Sequence, residues 1–170
     1  MTDPKPKLRW FQYSLRTLLV LVILCALACS WLTVKLKQAK QQREAVAEIV
    51  KLGGGVYYDW QCDQNIYVPD FYATMPTPQW LRSLLGDDLF QSVGVVGLTG
   101  TQVTDAGLEH LKRLGQLQLL YIGHTQVTDA GLEHLKGLSQ LKQLSLGGTK
   151  VTKSGIKKLQ QALPHCVICD

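Results

Sequence analysis

The hydrophobic and polar positions change rhythm three times along the chain. Residues 17–34 carry no charged side chain and centre on the run LLVLVILCALA, and at about 1.5 Å of rise per residue that length just crosses the hydrocarbon core of a bilayer. Residues 35–52 are strong helix formers, with Leu36, Ala39, Val46, Ile49 and Val50 near helical spacing and no internal Gly or Pro. They read as a connector continuing the first helix outward, either a spacer or a helix that pairs with a second copy or lies on lipid. Gly53, Gly54 and Gly55 end it, and a folded domain is expected to begin there. Residues 56–60 are aromatic and β-prone, Pro69, Pro76 and Pro78 break the stretch that follows, and residues 80–85 read as a short helix with Trp80, Leu81 and Leu84 on its apolar face. Trp60 and Trp80 are expected to seal the open end of a core.

From residue 93 a fixed period takes over. The segment TQVTDAGLEHLK at 101–112 recurs unchanged at 125–136, 24 residues on, and a looser copy from Thr149 keeps Val151, Thr152, Gly155, Ile156 and Leu159 in register. Leu117, Leu120 and Ile122, then Leu141, Leu144 and Leu146, follow L-x-x-L-x-L, with Val93, Val96 and Leu98 one period earlier. Such alternation turns the leucines to one side of a strand, and a period in the twenties points to leucine-rich repeats. Three stacked parallel strands are predicted. Thr101, Thr125 and Thr149 fall at the bend leaving each strand, where their hydroxyls can bond to backbone groups in a structural role. Thr104 and Thr128 suit helix N-caps, with Asp105 and Asp129 at the positive end of the helix dipole. Leu108, Leu111, Leu132 and Leu135 face inward, Glu109 and Glu133 face water, and Gly107, Gly131 and Gly155 suit close packing between units. Lys153 replaces the aspartate in the third copy and is expected to weaken that helix start.

The pattern V-T-D-A-G-L-E-H-L-K with L-x-x-L-x-L resembles the short bacterial relatives of the leucine-rich-repeat family, close to the cysteine-containing repeats of F-box proteins, over residues 93–168. Tyr13-Ser-Leu-Arg-Thr-Leu-Leu similarly resembles the anchor of short, membrane-tethered bacterial repeat proteins. The resemblance implies a curved solenoid used for protein contacts and no catalytic residue, with no F-box to carry over. The expected fold class is α/β, a short leucine-rich-repeat solenoid of parallel strands and short helices preceded by a single transmembrane helix. The expected divisions are a basic tail at 1–16, the transmembrane helix at 17–34, a helical connector at 35–52, a cap at 53–92, and the repeats with a terminal cap at 93–170.

Charge sharpens the membrane reading. The net charge is +5, and among the basic residues Lys5, Lys7, Arg9 and Arg16 precede the apolar block and Lys35, Lys37, Lys40 and Arg43 follow it, a placement that suits lipid headgroups better than nucleic acid. Trp10, Phe11, Tyr13 and Trp31 sit where interfacial aromatics belong. Because the flanking basic residues balance, the positive-inside rule assigns no orientation. A short basic tail is usually retained inside, so the expectation is a cytoplasmic N-terminus and a single-pass protein whose repeats lie outside the cytoplasm. The competing reading is a signal peptide cleaved after Ala26-Leu27-Ala28, which would leave Cys29 at a lipid-modifiable terminus.

Candidate chemistry is sparse. Outside the apolar block with Cys25 and Cys29, the cysteines Cys62, Cys166 and Cys169 form a poor disulfide framework. Cys166 and Cys169 make a C-x-x-C with no second pair to complete a zinc site, and read as packed thiols of a terminal cap that also holds His165. His110 and His134 are repeat-equivalent and lack a metal-ligand set, the threonines lack an activating histidine and acid, and residues 147–150 lack the phosphate-loop spacing. The expectation is therefore no enzyme, no cofactor and no metal. Strand phase points Val95, Gly97, Thr99, Leu119, Tyr121, Gly123, Gln143, Ser145 and Gly147 away from the core. Val95, Thr99, Leu119, Tyr121, His124, Gln143 and Ser145 are the candidate binding residues, with Tyr121 foremost as an exposed aromatic carrying a hydroxyl. The function expected is a membrane-tethered protein–protein interaction module contacting lipid through its first helix, an unidentified protein through the repeats, and no nucleic acid. The alternatives are a structural or self-associating surface protein, or an exported or lipidated repeat protein.

Overall fold

The computed structural model describes residues 15–61, 75–87 and 90–170. The basic tail before residue 15 with Trp10, Phe11 and Tyr13, and also Cys62 and Pro69, lie outside the described residues, as do the side chains of Arg16, Trp60 and Leu84. The chain divides into two compact units, Met1–Leu36 and Lys37–Asp170.

In the first unit the described residues are helical. They open helix α1, Leu15–Lys51, which is long and apolar enough to cross a membrane, with a mean hydropathy of 2.5 in its most apolar window and none of that window buried. Leu18, Leu21, Leu24 and Leu27 are exposed, the condition of a helix whose apolar side chains have no protein to pack against.

The second unit is a mixed α/β fold built on a five-stranded sheet in the order β1-β2-β3-β4-β5. The strands are β1 (Gly55–Tyr58), β2 (Val93–Gly97), β3 (Leu119–Tyr121), β4 (Gln143–Ser145) and β5 (Val167–Cys169). β2 to β5 run parallel, and β1 lies antiparallel on β2. The helices are α2 (Gln79–Leu85), the single turns α3 (Asp105–Leu108) and α4 (Asp129–Leu132), and the longer α5 (Lys153–Ala162); a 3-10 turn follows α3 over Glu109–Arg113.

One row of the sheet register runs Val56, Val96, Leu120, Leu144 and Ile168, and all five side chains belong to or pack against one core with Leu98, Leu108, Leu111, Leu117, Ile122, Leu132, Leu135, Leu141 and Leu146. Burial on this scale, at roughly 1.5–3 kcal/mol for each large aliphatic side chain, is what holds strands of three residues in place. β5 makes a fourth parallel strand where three were expected. The signal was in phase, since 24 residues beyond Leu144 stands Ile168, but the short cysteine-bearing tail lacks the leucine pattern.

The second unit begins inside α1, not at the glycines. Ala45 and Ile49 are fully buried in the core, with Val46 and Leu52 packed against it, Gln42 Nε2 donates to Gln91 O at 3.1 Å, and Arg113 pairs with Glu44 at 3.1 Å. The final turns of α1 are thus neither a spacer nor a free pairing helix: an unstacked first repeat would expose its leucines, and α1 covers them. Its end is a tight glycine turn in which Gly53 has φ 79° and Gly54 N donates to Ile49 O at 3.0 Å, so that the chain reverses directly into β1. Trp80 does not seal the core, being 68% exposed on α2; the job assigned to it falls to α1 and β1.

Candidate functional site

The bends leaving the strands follow the repeat. Thr101 Oγ1 donates to Leu98 O and Thr125 Oγ1 to Ile122 O, each at 2.7 Å, and Thr149 repeats the turn with its N–H on Leu146 O at 3.1 Å. Gly100, His124 and Gly148 occupy equivalent positions one residue earlier, all with positive φ. His124, at φ 54°, is a non-glycine in a conformation that normally costs an L-residue about 1–2 kcal/mol.

The helix starts reveal a connection that the sequence reading missed. Asp105 does not serve its own helix alone: Oδ1 accepts from Thr128 N and Oδ2 from Thr128 Oγ1, both at 2.7 Å, across to the next unit. Asp129 does the same to Thr152, at 2.7 and 2.6 Å. Each aspartate holds the N-cap threonine of the following helix, and Thr128 and Thr152 in turn accept from Ala130 N and Gly155 N. Thr104, the first of the series, makes no side-chain cap bond. The Thr152 hydroxyl and amide that reach Asp129 hold its carboxyl below the usual value of 3.8. Gly131 and Gly155 leave room for these carboxylates, since a Cβ on Gly131 would lie 2.5 Å from Asp105 Oδ1 and one on Gly155 would strike Asp129. Lys153 ends the ladder. α5 is nonetheless the longest of the repeat helices, and its Thr152 cap is held by the preceding aspartate.

The sheet face turned away from the core carries two rows in register. One is Tyr57, Val95, Leu119, Gln143, Val167; the other is Gly55, Gly97, Tyr121, Ser145, Cys169. The alternation that turned Val95 and Leu119 outward is right, but outward is not accessible: they are 4% and 1% exposed. Aliphatic side chains in mid-row sit between larger neighbours, Tyr57 on one flank and Gln143 on the other, and neither offers a contact to a partner. Tyr121, Gln143 and Ser145 are half-exposed, and Thr99 and His124 are exposed at the bends. Sequence reasoning missed Tyr57, whose ring lies 3.7 Å from where a Gly55 Cβ would be, and β5, which adds Val167 at 62% exposure and the exposed Cys169. The result is a pair of glycines, Gly55 against the Tyr57 ring and Gly97 beside Tyr121 with only Gly55 O within 4.0 Å of its Cβ position, and Ser145 and Gln143 as polar neighbours. Gly97 admits close approach of another backbone or a flat side chain.

Cys166 is buried and Cys169 exposed; burial pushes the Cys166 thiol up, the opposite of an activated nucleophile. The reading of both as packed thiols therefore holds for Cys166 and fails for Cys169. His110 and His134 are half-buried, and no group of three or more His, Cys, Asp or Glu side chains among the described residues is placed to hold a metal ion.

No family model matches this chain, and no curated protein matches it. Among solved structures it is similar to a leucine-rich-repeat protein of Leptospira interrogans, at 23% identity and a TM-score of 0.32. That match covers 36% of this chain and 16% of the other.

Proposed function

We propose that the chain is a short leucine-rich-repeat solenoid, tethered to a membrane by the apolar part of α1, that binds a protein partner on the outward sheet face and performs no catalysis. The observation that carries the binding assignment is the outward-facing Gly97, beside Tyr121 in the sheet row and next to Gly55, against which the Tyr57 ring lies. Aromatic side chains with a polar tip contribute large contact area at low entropic cost, and the uncovered backbone at Gly97 gives an entering side chain somewhere to lie. The exposed apolar residues of α1 support the tether.

A photo-crosslinking residue placed at Tyr121 in the membrane-embedded chain tests the assignment, with one at Glu109 as the off-site control. A discrete adduct at 121 and none at 109, weakened by Gly97→Leu in the same chain while its unfolding midpoint is unchanged, supports the site. Equal capture from both positions, or capture indifferent to Gly97→Leu, removes it. Carbonate extraction tests the tether separately: a chain released into the soluble fraction is not held by α1.

A further inference from the structure

The exact duplication supplies an internal control for the third copy. In both earlier copies the positions aligned with Lys150, Lys153, Lys157 and Lys158 hold Gln, Asp, Glu and His, namely Gln102, Asp105, Glu109 and His110, then Gln126, Asp129, Glu133 and His134. All four are lysine in the last copy, and Lys112 and Lys136 become Gln160, so the formal charge of the twelve-residue segment changes from −1 in each earlier copy to +4. The apolar positions hold throughout, with Val151, Gly155, Ile156 and Leu159 still in or against the core. The scaffold is conserved from copy to copy while its solvent face reverses sign.

The end of the ladder explains one of these changes at most. Asp105 and Asp129 each bond a threonine in the following unit, and a lysine at 153 cannot accept such bonds. Nothing in the ladder calls for lysine at 150, 157 and 158. At 100° per residue Lys153 and Lys157 lie on the side of α5 opposite the buried Gly155 and Leu159, Lys158 lies on the flank between, and Lys150 precedes them in the bend. All four are exposed, and none forms an ion pair among the described residues. In the preceding unit, by contrast, Lys136 pairs with Glu133 at 2.6 Å. The facing carboxylate is Asp129, which interacts with Lys158 but is already bonded to Thr152.

We propose that this lysine face of α5 binds the anionic headgroups of the bilayer that holds α1. The proposal rests on the membrane reading above. For a tethered chain the lipid surface is the polyanion at highest local concentration, and each lysine near such a surface strengthens binding at low salt. Four unpaired lysines presented on a folded helix bind headgroups without an ordering cost on the backbone.

The full chain is reconstituted into nanodiscs of phosphatidylcholine alone, and of phosphatidylcholine with about 30% phosphatidylglycerol, and its lysines are labelled with an amine-reactive reagent read by mass spectrometry. Labelling at 150, 153, 157 and 158 is expected to fall roughly tenfold in the anionic discs and to recover at high salt, while Lys112 and Lys136 label equally in both. A variant carrying K150Q, K153D, K157E and K158H restores residues that the same scaffold already tolerates twice; its Lys112, Lys136 and Lys142 should label alike in the two lipids. Equal labelling of the four lysines in both discs overturns the proposal, as does protection produced in neutral discs by added RNA or an acidic polypeptide but not by anionic lipid. A chain that fails to enter discs of either kind refutes the tether instead, a result visible before any labelling.

Discussion

Replacing Gly131 by alanine, alone and together with Asp105→Ala, tests whether the aspartate ladder and the repeat glycines form one device. The new methyl would stand 2.5 Å from Asp105 Oδ1 and 3.0 Å from Leu108 Cδ1 and Val127 Cγ1. Overpacking of this kind costs about 1–3 kcal/mol, of which alanine's better helix propensity returns about 0.5–1 kcal/mol. A net loss of about 1–2 kcal/mol is expected. Asp105→Ala by itself removes two 2.7 Å bonds to Thr128; with a half-exposed charged acceptor the loss should be about 2 kcal/mol. In the double variant the atom that the methyl strikes is gone, so its cost should be less than the sum by about 1 kcal/mol, within the range for residues in contact. Urea unfolding of the full chain in mild detergent, followed by proteolytic susceptibility of the repeats, gives the three differences. Additivity to within about 0.3 kcal/mol would refute the coupling and with it the reading of Gly131 as the seat of the neighbouring carboxylate.

Three further outcomes are expected. His124→Gly should raise stability by about 1 kcal/mol in the same assay by releasing a left-handed non-glycine, whereas Gly148→Ala should lower it, because Gly148 has φ 73° and its Cβ would lie 2.5 Å from His124 Nδ1. The carboxyl of Asp129 is held below its usual 3.8 in the folded chain, so its contribution is present above that pH and is lost as the pH falls through the lower folded value; the gap in melting midpoint between the native chain and Asp129→Asn should close below about pH 4. Iodoacetamide should alkylate Cys169 in the folded chain and reach Cys166 only on unfolding, as peptide mass analysis would show; comparable rates at the two thiols would contradict the burial of Cys166.

The residues that the sequence places by itself are those governed by local period. Alternation along a strand and recurrence at 24 residues identify Val96, Leu120, Leu144 and their neighbours as core, because a side chain's direction on a strand follows from parity alone. The same period puts the threonines at the bends, while the left-handed angles of Gly100, His124 and Gly148 one residue before them are disclosed only by the backbone. The apolar block of α1 is legible for a similar reason, since length and lack of charge are properties of the segment itself. What the tertiary structure decided depends on which unit lies beside which. Asp105 looks like a helix-start residue until its carboxylate is seen on Thr128 of the next unit. Ile49 looks like a connector residue until the end of α1 closes the first repeat, and Val95 and Leu119 look like a binding surface until the rows of the sheet are set side by side. Parity fixes which way a residue points, but burial and hydrogen bonding are set by neighbours far along the chain, and those appear only when the units stack.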